Sequence, residues 1–326
     1  MTVDVLCLRP EADFLRADAM PSPALKVVYR ELDDLDVPTL MKQARALVIP
    51  AVGPKLPASL FDGASVKFVQ ITGAGLDRLD LPLLKRLGIA VANVPGGSNR
   101  VVAEYVVTAA SALLRRLVWA DAEIRAGRYR EARAKMLADN LSGLDGLTAG
   151  VIGLGVIGLA VAEALHKNGC KIFYFDPAPP DRQSAAAFSA KSLSLDELLE
   201  TSDIVTLHVP LLPSTQGLIG PRELALMKRG AILIQASRGG IVDETALAAA
   251  LRSGHLGGAA IDVYSAEPPS ADNPLLALSG DGAQRVLFTP HIAGVTRQAS
   301  NFLFRSAWRN IERVLLSNEP PLDRAC

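Results

Sequence analysis

The stretch from Leu147 to Asp176 reads LTAGVIGLGVIGLAVAEALHKNGCKIFYFD. An apolar run leads into a Gly-x-Gly-x-x-Gly turn, a helical segment follows, and a second apolar run ends in an acid. Gly153 permits a tight turn, Gly155 lets a pyrophosphate approach the backbone, and Gly158 lets the helix pack closely on the strand. This order of strand, glycine turn, helix, strand and acid predicts a dinucleotide-binding βαβ unit.

The two ends of the predicted dinucleotide have different partners. Val156 and Ile157 open the helix, so their N–H groups and the helix dipole attract phosphates. Asp176 follows Gly153 by 23 residues (176 − 153), which is near the spacing for a carboxylate that accepts hydrogen bonds from the adenosine ribose. A 2′-phosphate would be a second anion beside this carboxylate. We therefore predict NAD and regard NADP as less favoured, although Arg182 is close in sequence.

Composition narrows the class of protein. The 326 residues are 49% hydrophobic and 21% charged with zero formal net charge, so a general nucleic-acid-binding surface is not expected. The cysteines Cys7, Cys170 and Cys326 lack metal-ligand spacing and are typical of a reducing compartment. No apolar run approaches the ~20 residues that span a bilayer, and the N-terminus does not read as a secretory signal. We predict a cytoplasmic protein that binds no metal, nucleic acid or membrane.

Strand and helix patterns continue on both sides of the βαβ unit. Before it, the apolar runs that read as strands are Val3–Leu8, Lys26–Tyr29, Ala46–Ile49, Lys67–Ile71 and Ile89–Asn93. After it, four further runs bring the second series to six strands: Ile204–His208, Ala231–Ala236, Ala259–Asp262 and Val286–Thr289. Strands that alternate with helices indicate parallel sheets covered on both faces. The sequence predicts an α/β protein with two Rossmann-like or flavodoxin-like parallel-sheet domains.

Three segments bear on how the domains are connected. Val101–Gly127 reads as one long helix, and Arg128–Gly146 reads as a charged arm without a clear period. Thr296–Ser317 reads as an amphipathic helix with no strand after it, so it could return to the first domain. We expect a substrate domain of residues 1–100 and 296–326, and a cofactor domain of residues 101–295 inserted into it.

Polar residues follow several predicted strands, at the sheet edge where open parallel sheets bind ligands. Arg238 lies between a serine and two glycines, and its planar guanidinium suits a carboxylate. Glu267 could pair with His291, and a neighbouring carboxylate orients an imidazole and favours its protonated form, as an acid in carbonyl reduction requires. His208 also ends a strand and is an alternative acid.

A second glycine loop follows the strand at Lys67–Ile71. In Gly73-Ala74-Gly75, backbone N–H groups could face an anion, but a plain turn before a helix explains these residues equally well.

Taken in order, these segments resemble the D-isomer-specific 2-hydroxyacid dehydrogenase family. The resemblance rests on Gly153–Gly158, His208–Leu211, Ala236–Asp243, Ala260–Tyr264 with Glu267-Pro268, and Thr289–Gly294. It implies a homodimer, in contact through the long helix and the arm, that transfers a hydride between NAD(H) and C2 of a small D-2-hydroxy or 2-oxo acid. His291 would be the general acid/base, Glu267 its partner, and Arg238 the clamp on the substrate carboxylate and carbonyl.

The resemblance also implies which residues contact the ligands. Substrate contacts are expected at Gly73, Ala74, Gly75, Arg238 and His291. Cofactor contacts are expected at Gly153, Gly155, Val156, Ile157, Gly158, Asp176, His208, Val209, Pro210, Thr215, Ala236, Ser237, Arg238, Asp262, His291 and Gly294. Within this set, the segment that starts at His208 would lie on the adenosine side, and Asp262 on the carboxamide side of the nicotinamide.

Departures from the family pattern narrow the range of expected substrates. Glu267 stands where the related formate dehydrogenases carry an amide, so formate is not expected. Ile71 and Thr72 stand where members acting on 3-phosphoglycerate often carry a basic residue, which weakens that assignment. Glyoxylate, hydroxypyruvate and bulkier 2-oxo acids remain candidates, with phosphite oxidation less favoured. The alternative from another class is an NAD-sensing binding protein of the co-repressor type, without turnover.

Overall fold

The computed structural model describes residues 3–178 and 188–326 of the chain. It divides into two compact units, one made of residues up to Ser98 together with Val295–Cys326, the other of Asn99–Gly294. Each unit is built on one sheet, and the paired strands of both sheets are parallel. The predicted fold class is confirmed.

The first unit has a five-stranded sheet in the order β2-β1-β3-β4-β5. Its strands are β1 (Val5–Cys7), β2 (Val27–Tyr29), β3 (Ala46–Ile49), β4 (Phe68–Ile71) and β5 (Ala90–Ala92). The helices between them are α1 (Glu11–Arg16), α2 (Val37–Met41) and α3 (Leu81–Arg86). Each strand lies within its predicted run, because these short apolar segments are buried or partly buried and are bounded by polar or glycine-containing turns.

The second unit has a seven-stranded sheet in the order β12-β11-β10-β9-β6-β7-β8. Its strands are β6 (Thr148–Ile152), β7 (Lys171–Phe175), β8 (Lys191–Ser192), β9 (Ile204–Leu207), β10 (Ile232–Gln235), β11 (Gly258–Ile261) and β12 (Val286–Phe288). Its described helices are α4 (Asn99–Leu114), α5 (Leu117–Arg125), α6 (Tyr129–Ala138), α7 (Val156–Lys167), α8 (Leu195–Thr201), α9 (Pro221–Leu226), α10 (Glu244–Arg252) and α11 (Gly280–Ala283). Helices α4 and α7 cover one face, and α8, α9 and α10 cover the other.

The predicted count of six strands in this unit was wrong. The additional strand, β8, consists of two exposed residues that pair with Phe173 and Tyr174. A lysine and a serine carry no apolar signal, so hydrophobic patterning could not reveal this edge strand.

The prediction of one long helix over Val101–Gly127 was also wrong. Helix α4 ends at Leu114 and α5 begins at Leu117, with Arg116 between them in a left-handed conformation at φ 50°. The Nη1 atom of Arg116 donates to Oδ2 of Asp139 at 2.8 Å, a contact 23 residues away that local pattern does not encode. The segment predicted as an aperiodic arm forms α6, which buries only Ala132 and therefore shows little apolar period.

Side chains cap the first turns of α8 and α10. The hydroxyl of Ser194 accepts the N–H of Glu197, and the carboxylate of Glu197 accepts the N–H of Ser194, so a capping box opens α8. The carboxylate of Asp243 accepts the N–H of Ala246 at 2.9 Å and caps α10.

The last helix, α12 (Arg297–Leu315), packs in the first unit. Phe304, Trp308 and Ile311 are buried there, and the ring of Phe304 lies 4.9 Å from the ring of Phe14. The amide of Asn310 donates to the side-chain oxygen of Gln70 at 2.9 Å, which ties the helix to β4. Two segments that are far apart in sequence therefore share one core.

Candidate active site

The turn between β6 and α7 requires two of its glycines. Gly153 has φ 88°, and a Cβ there would lie 2.8 Å from the carbonyl oxygen of His208. A Cβ on Gly158 would lie 2.0 Å from the carbonyl oxygen of Gly153. The first and third glycines of the motif therefore allow close approach of backbone segments, as the sequence predicted.

The middle glycine differs from the other two. Among the described residues, no atom outside the adjoining chain lies within 4 Å of the position that a Cβ on Gly155 would take. Gly155 is the N-cap of α7 and provides no side-chain cap, so the first N–H groups of the helix lack a side-chain acceptor. Open space beside uncapped helical N–H groups fits the pyrophosphate of a dinucleotide.

Asp176 lies beyond the end of β7 and is held against this turn. Its Oδ2 accepts the N–H of Leu154 at 2.7 Å, and its Oδ1 accepts the N–H of Ala178 at 2.8 Å. Each oxygen has a further lone pair, so the carboxylate can both fix the glycine turn and accept a ribose hydroxyl. Arg182, considered above for cofactor choice, lies outside the described residues.

The turn that carries Arg238 is organised by a residue that sequence reasoning missed. Gln235, buried at the end of β10, donates from Nε2 to the carbonyl of Arg238 at 2.9 Å and accepts the hydroxyl of Ser237 at 2.7 Å. A Cβ on Gly239 would lie 1.8 Å from the carbonyl oxygen of Tyr264. In the sequence, a glutamine at the end of an apolar strand was the feature that could have indicated this role.

His291 and Glu267 form the pair predicted from sequence. Nδ1 of His291 lies 2.8 Å from Oε2 of Glu267, and their side chains are 24% and 28% exposed. Oε1 of Glu267 accepts the N–H of Tyr264 at 3.1 Å, which fixes the carboxylate. Because a carboxylate accepts, Nδ1 carries the proton in this pair, and Nε2 is the nitrogen free to exchange a proton with a ligand.

Asp262 holds the loop that presents His291. Its Oδ1 accepts the hydroxyl of Thr289 at 2.6 Å and the N–H of Ile292 at 2.8 Å, and its Oδ2 accepts the N–H of Ala293 at 2.8 Å. The carbonyl of Asp262 accepts the N–H of His291 at 2.8 Å. His291 itself has φ 55°, a left-handed conformation that costs energy for a non-glycine residue and needs such support.

His208 is a neutral residue. Burial lowers its pKa from 6.5 to about 3, and its Nε2 lies 2.9 Å from the hydroxyl of Thr206. It therefore does not carry the ionisable proton that an acid in carbonyl reduction needs at neutral pH. Of the two candidate acids, the lowered pKa argues against His208.

The remaining predicted site residues are distributed over both units. The Gly73–Gly75 loop lies in the first unit, where the carbonyl of Gly73 accepts the N–H of Val94 at 2.8 Å and the carbonyl of Ala74 accepts the amide of Asn93 at 2.7 Å. In the second unit, the hydroxyl of Thr215 donates to the carbonyl of Pro210 at 2.6 Å. Three further predicted ligand contacts of that unit lie after its strands. Ala236 directly follows β10, Val209 lies two residues after β9, and Gly294 lies in the loop after β12.

Metal-binding clusters and membrane-spanning helices are other features that the described residues could contain. No group of three or more His, Cys, Asp or Glu side chains is placed to hold a metal ion in residues 3–178 and 188–326. Within the same ranges, no helix has both the length and the apolar content to cross a membrane.

Comparison with known families shows to which family the chain belongs. The model of the NAD-binding domain of D-isomer specific 2-hydroxyacid dehydrogenases matches residues 107–293, more than half of the chain. The chain belongs to the D-isomer specific 2-hydroxyacid dehydrogenase family. The matched range contains the glycine turn, Arg238, Glu267 and His291.

Individual family members differ in how much of their length this chain spans. It is 39% identical over 246 residues to D-3-phosphoglycerate dehydrogenase of Archaeoglobus fulgidus, a match that covers 75% of this chain but 45% of that protein. It is 37% identical over 268 residues to glyoxylate reductase of Thermofilum pendens, which covers 82% of this chain and 77% of the relative. The structure of D-mandelate dehydrogenase from Rhodotorula graminis, 26% identical, superimposes with a TM-score of 0.83 over 100% of this chain and 98% of that one.

Proposed function

We propose that this protein is an NAD-dependent dehydrogenase or reductase that interconverts a small 2-oxo acid and the corresponding D-2-hydroxy acid. The observation that carries the proposal is the pair formed by Nδ1 of His291 and Oε2 of Glu267 at 2.8 Å. The pair leaves Nε2 of an oriented imidazole for proton exchange. Its place in a family whose matched domain binds NAD supports the redox half of the reaction.

The proposed chemistry divides between cofactor and protein. Nicotinamide bound at this unit would supply a hydride to substrate C2, or accept one from it. During reduction, Nε2 of His291 gives a proton to the substrate oxygen, and during oxidation it takes the proton back. Glu267 stabilises the protonated imidazole, and the guanidinium of Arg238 binds the substrate carboxylate and opposes charge that develops on the oxygen.

Cofactor choice follows from Asp176. The carboxylate stands at the end of β7 and already fixes the glycine turn through the N–H of Leu154. A 2′-phosphate beside it would place two anions together, so NAD is the proposed cofactor and NADP binds more weakly. Asp262, on the carboxamide side, retains one lone pair on Oδ2 after it accepts the N–H of Ala293.

The proposed assembly is a homodimer through α5 and α6. Helix α5 has no buried residue, and apolar side chains of both helices are exposed: Leu117, Val118, Ile124, Tyr129 and Leu137. Apolar surface of this kind marks interaction sites, and two-fold pairs are the commonest oligomers. Light scattering at micromolar protein should give twice the chain mass, and a monomer would contradict this assembly.

The names of relatives give the candidate substrates. The relatives named above are a phosphoglycerate dehydrogenase, a glyoxylate reductase and a D-mandelate dehydrogenase. We propose that the first unit is the substrate domain, that its Gly73–Gly75 loop contacts the substrate, and that the substrate is a small 2-oxo acid such as glyoxylate or hydroxypyruvate. The absence of a basic residue at Ile71 and Thr72 argues against a phosphorylated acid.

A substrate panel tests this proposal. NADH consumption is followed with glyoxylate, hydroxypyruvate, pyruvate, phenylglyoxylate and 3-phosphohydroxypyruvate, and again with NADPH. We expect turnover of at least one unphosphorylated acid with NADH, and a large loss in Arg238→Lys, because an ammonium cannot replace the bidentate fork. If NAD binds but no acid turns over and Arg238→Ala does not change ligand binding, the NAD-sensing alternative is favoured.

A further inference from the structure

We propose that Tyr105 is a positioning residue for the acid/base: through Thr289 and Asp262, its hydroxyl holds the loop that carries His291. The inference rests on the proposed function, since it assigns a role to a residue that acts on His291. Tyr105 lies on α4, and Thr289 follows β12, 184 residues later in the chain. No motif in the sequence connects them.

The direction of the hydrogen bonds follows from the acceptors. The hydroxyl oxygens of Tyr105 and Thr289 are 2.7 Å apart, and the Thr289 hydroxyl is 2.6 Å from Oδ1 of Asp262. A carboxylate accepts, so Thr289 gives its single proton to Asp262. Tyr105 must then donate to Thr289. Burial raises the pKa of Tyr105 to about 12, so the phenol keeps this proton at neutral pH.

Asp262 connects these hydroxyl groups to the backbone of His291 and of the two residues that follow it. Asp262 accepts the N–H groups of Ile292 and Ala293 through its two oxygens, and its carbonyl accepts the N–H of His291. The left-handed backbone of His291 at φ 55° persists only while its surroundings hold it. Asp262 provides that hold, and Tyr105 with Thr289 fixes the orientation of Asp262.

In the part of the chain that the structure describes, Tyr105 is the donor to the hydroxyl of Thr289. Thr289 has one proton, which Asp262 takes, so its own acceptor sites are satisfied only by a donor such as the phenol. Connected hydrogen bonds also strengthen one another in a partly buried site. Loss of the phenol should therefore loosen the His291 loop without removing any group that touches the substrate.

The test is Tyr105→Phe, with Tyr29→Phe as the matched control. The hydroxyl of Tyr29 is buried in the first unit and has no hydrogen-bond partner among the residues the structure describes, so its removal should leave kcat unchanged. In Tyr105→Phe we expect kcat to fall about fivefold, the rate equivalent of one hydrogen bond, with little change in KM. A variant that fails to fold would show a large fall in melting temperature, and the melting temperature of the Tyr29→Phe control is measured for comparison.

Two further measurements separate positioning from a general structural effect. Thr289→Ser, which keeps both hydrogen bonds, should retain kcat, whereas Thr289→Val should lower it. In the Thr289→Val background, Tyr105→Phe should cause no further loss, because the path to Asp262 is already cut. A full additional fivefold loss in that background would overturn the proposal.

Amide hydrogen exchange provides a readout that does not need activity. Exchange at Ile292 and Ala293, whose N–H groups bond to Asp262, should be faster in Tyr105→Phe and unchanged in Tyr29→Phe. If the wild-type protein turns over no acid, the proposed function fails while the exchange data still decide this inference. Unchanged exchange at both amides in Tyr105→Phe would overturn it.

Discussion

The three glycines of the β6–α7 turn should respond differently to the same substitution. A Cβ on Gly158 would lie 2.0 Å from the carbonyl oxygen of Gly153, where ordinary contacts begin at 3.4 Å, so the helix or the turn must move by more than an ångström. Overpacking of this kind costs ~1–3 kcal/mol, and the better helix propensity of alanine returns only ~1 kcal/mol. Gly158→Ala should therefore lower the melting temperature by several degrees.

Gly155→Ala is the matched substitution, which should weaken NAD binding without lowering stability. Its backbone, at φ −69° and ψ −165°, suits alanine, and no atom of the described residues outside the adjoining chain lies within 4 Å of the new Cβ. Stability should be unchanged or slightly raised, because alanine restricts the unfolded chain. The methyl group would occupy the space proposed for the pyrophosphate, so NAD affinity should fall at least ~10-fold, or ~1.4 kcal/mol.

Thermal unfolding without cofactor and calorimetric titration with NAD measure the two effects separately. The reasoning is refuted if Gly155→Ala binds NAD as tightly as the wild-type protein, or if Gly158→Ala melts at the wild-type temperature.

Three further predictions concern buried or partly buried polar groups. Burial lowers the pKa of His208 from 6.5 to about 3, so the unfolded chain binds more protons between these pH values and stability is lost as pH falls through this window. The melting temperature of His208→Gln should fall less across the window than that of the wild-type protein, and an equal fall would contradict the lowered pKa. Burial raises the pKa of Asp203, but hydrogen bonds from Lys228 and Thr148 lower it more, so the net shift is downward. Asp203→Asn should melt at a lower temperature than the wild-type protein at neutral pH, and this difference in melting temperature should disappear as pH falls through the lowered pKa. Arg78 is 5% exposed and donates to the carbonyls of Pro54 at 2.8 Å and Pro50 at 3.0 Å; Arg78→Met should cost ~1–3 kcal/mol in denaturant unfolding, and an equal cost for the exposed Arg16→Met would argue against this role.

The parts of the fold that follow from local spacing could be read from the sequence. Gly153 and Gly158 are required by backbone contacts within one βαβ unit, and a G-x-G-x-x-G pattern between two apolar runs encodes that requirement directly. The capping box at Ser194 and Glu197 is equally local. Strand positions were predictable because the core of each sheet consists of short buried apolar runs.

The parts that depend on distant contacts could not be read. The break between α4 and α5 occurs at Arg116, whose partner Asp139 lies on the segment after α6, and nothing in the apolar pattern marks it. The pairing of His291 with Glu267 was predicted from their places after two strands and was also implied by the family resemblance, and the structure supplies the 2.8 Å contact. The support of that pair from Tyr105, 184 residues away from Thr289, appears only in the folded chain.

Transfer of an isotopic label tests the central claim most directly. The protein is incubated with a 2-oxo acid from the panel other than glyoxylate, whose product has no D or L form. The NADH carries deuterium on one or the other face of nicotinamide C4, and the product is analysed by mass spectrometry and chiral chromatography. The account predicts a D-2-hydroxy acid that carries deuterium at C2 from one face only, and loss of this product in His291→Asn. A product that is unlabelled with both forms of NADH, an L-2-hydroxy acid, or full activity in His291→Asn would contradict it.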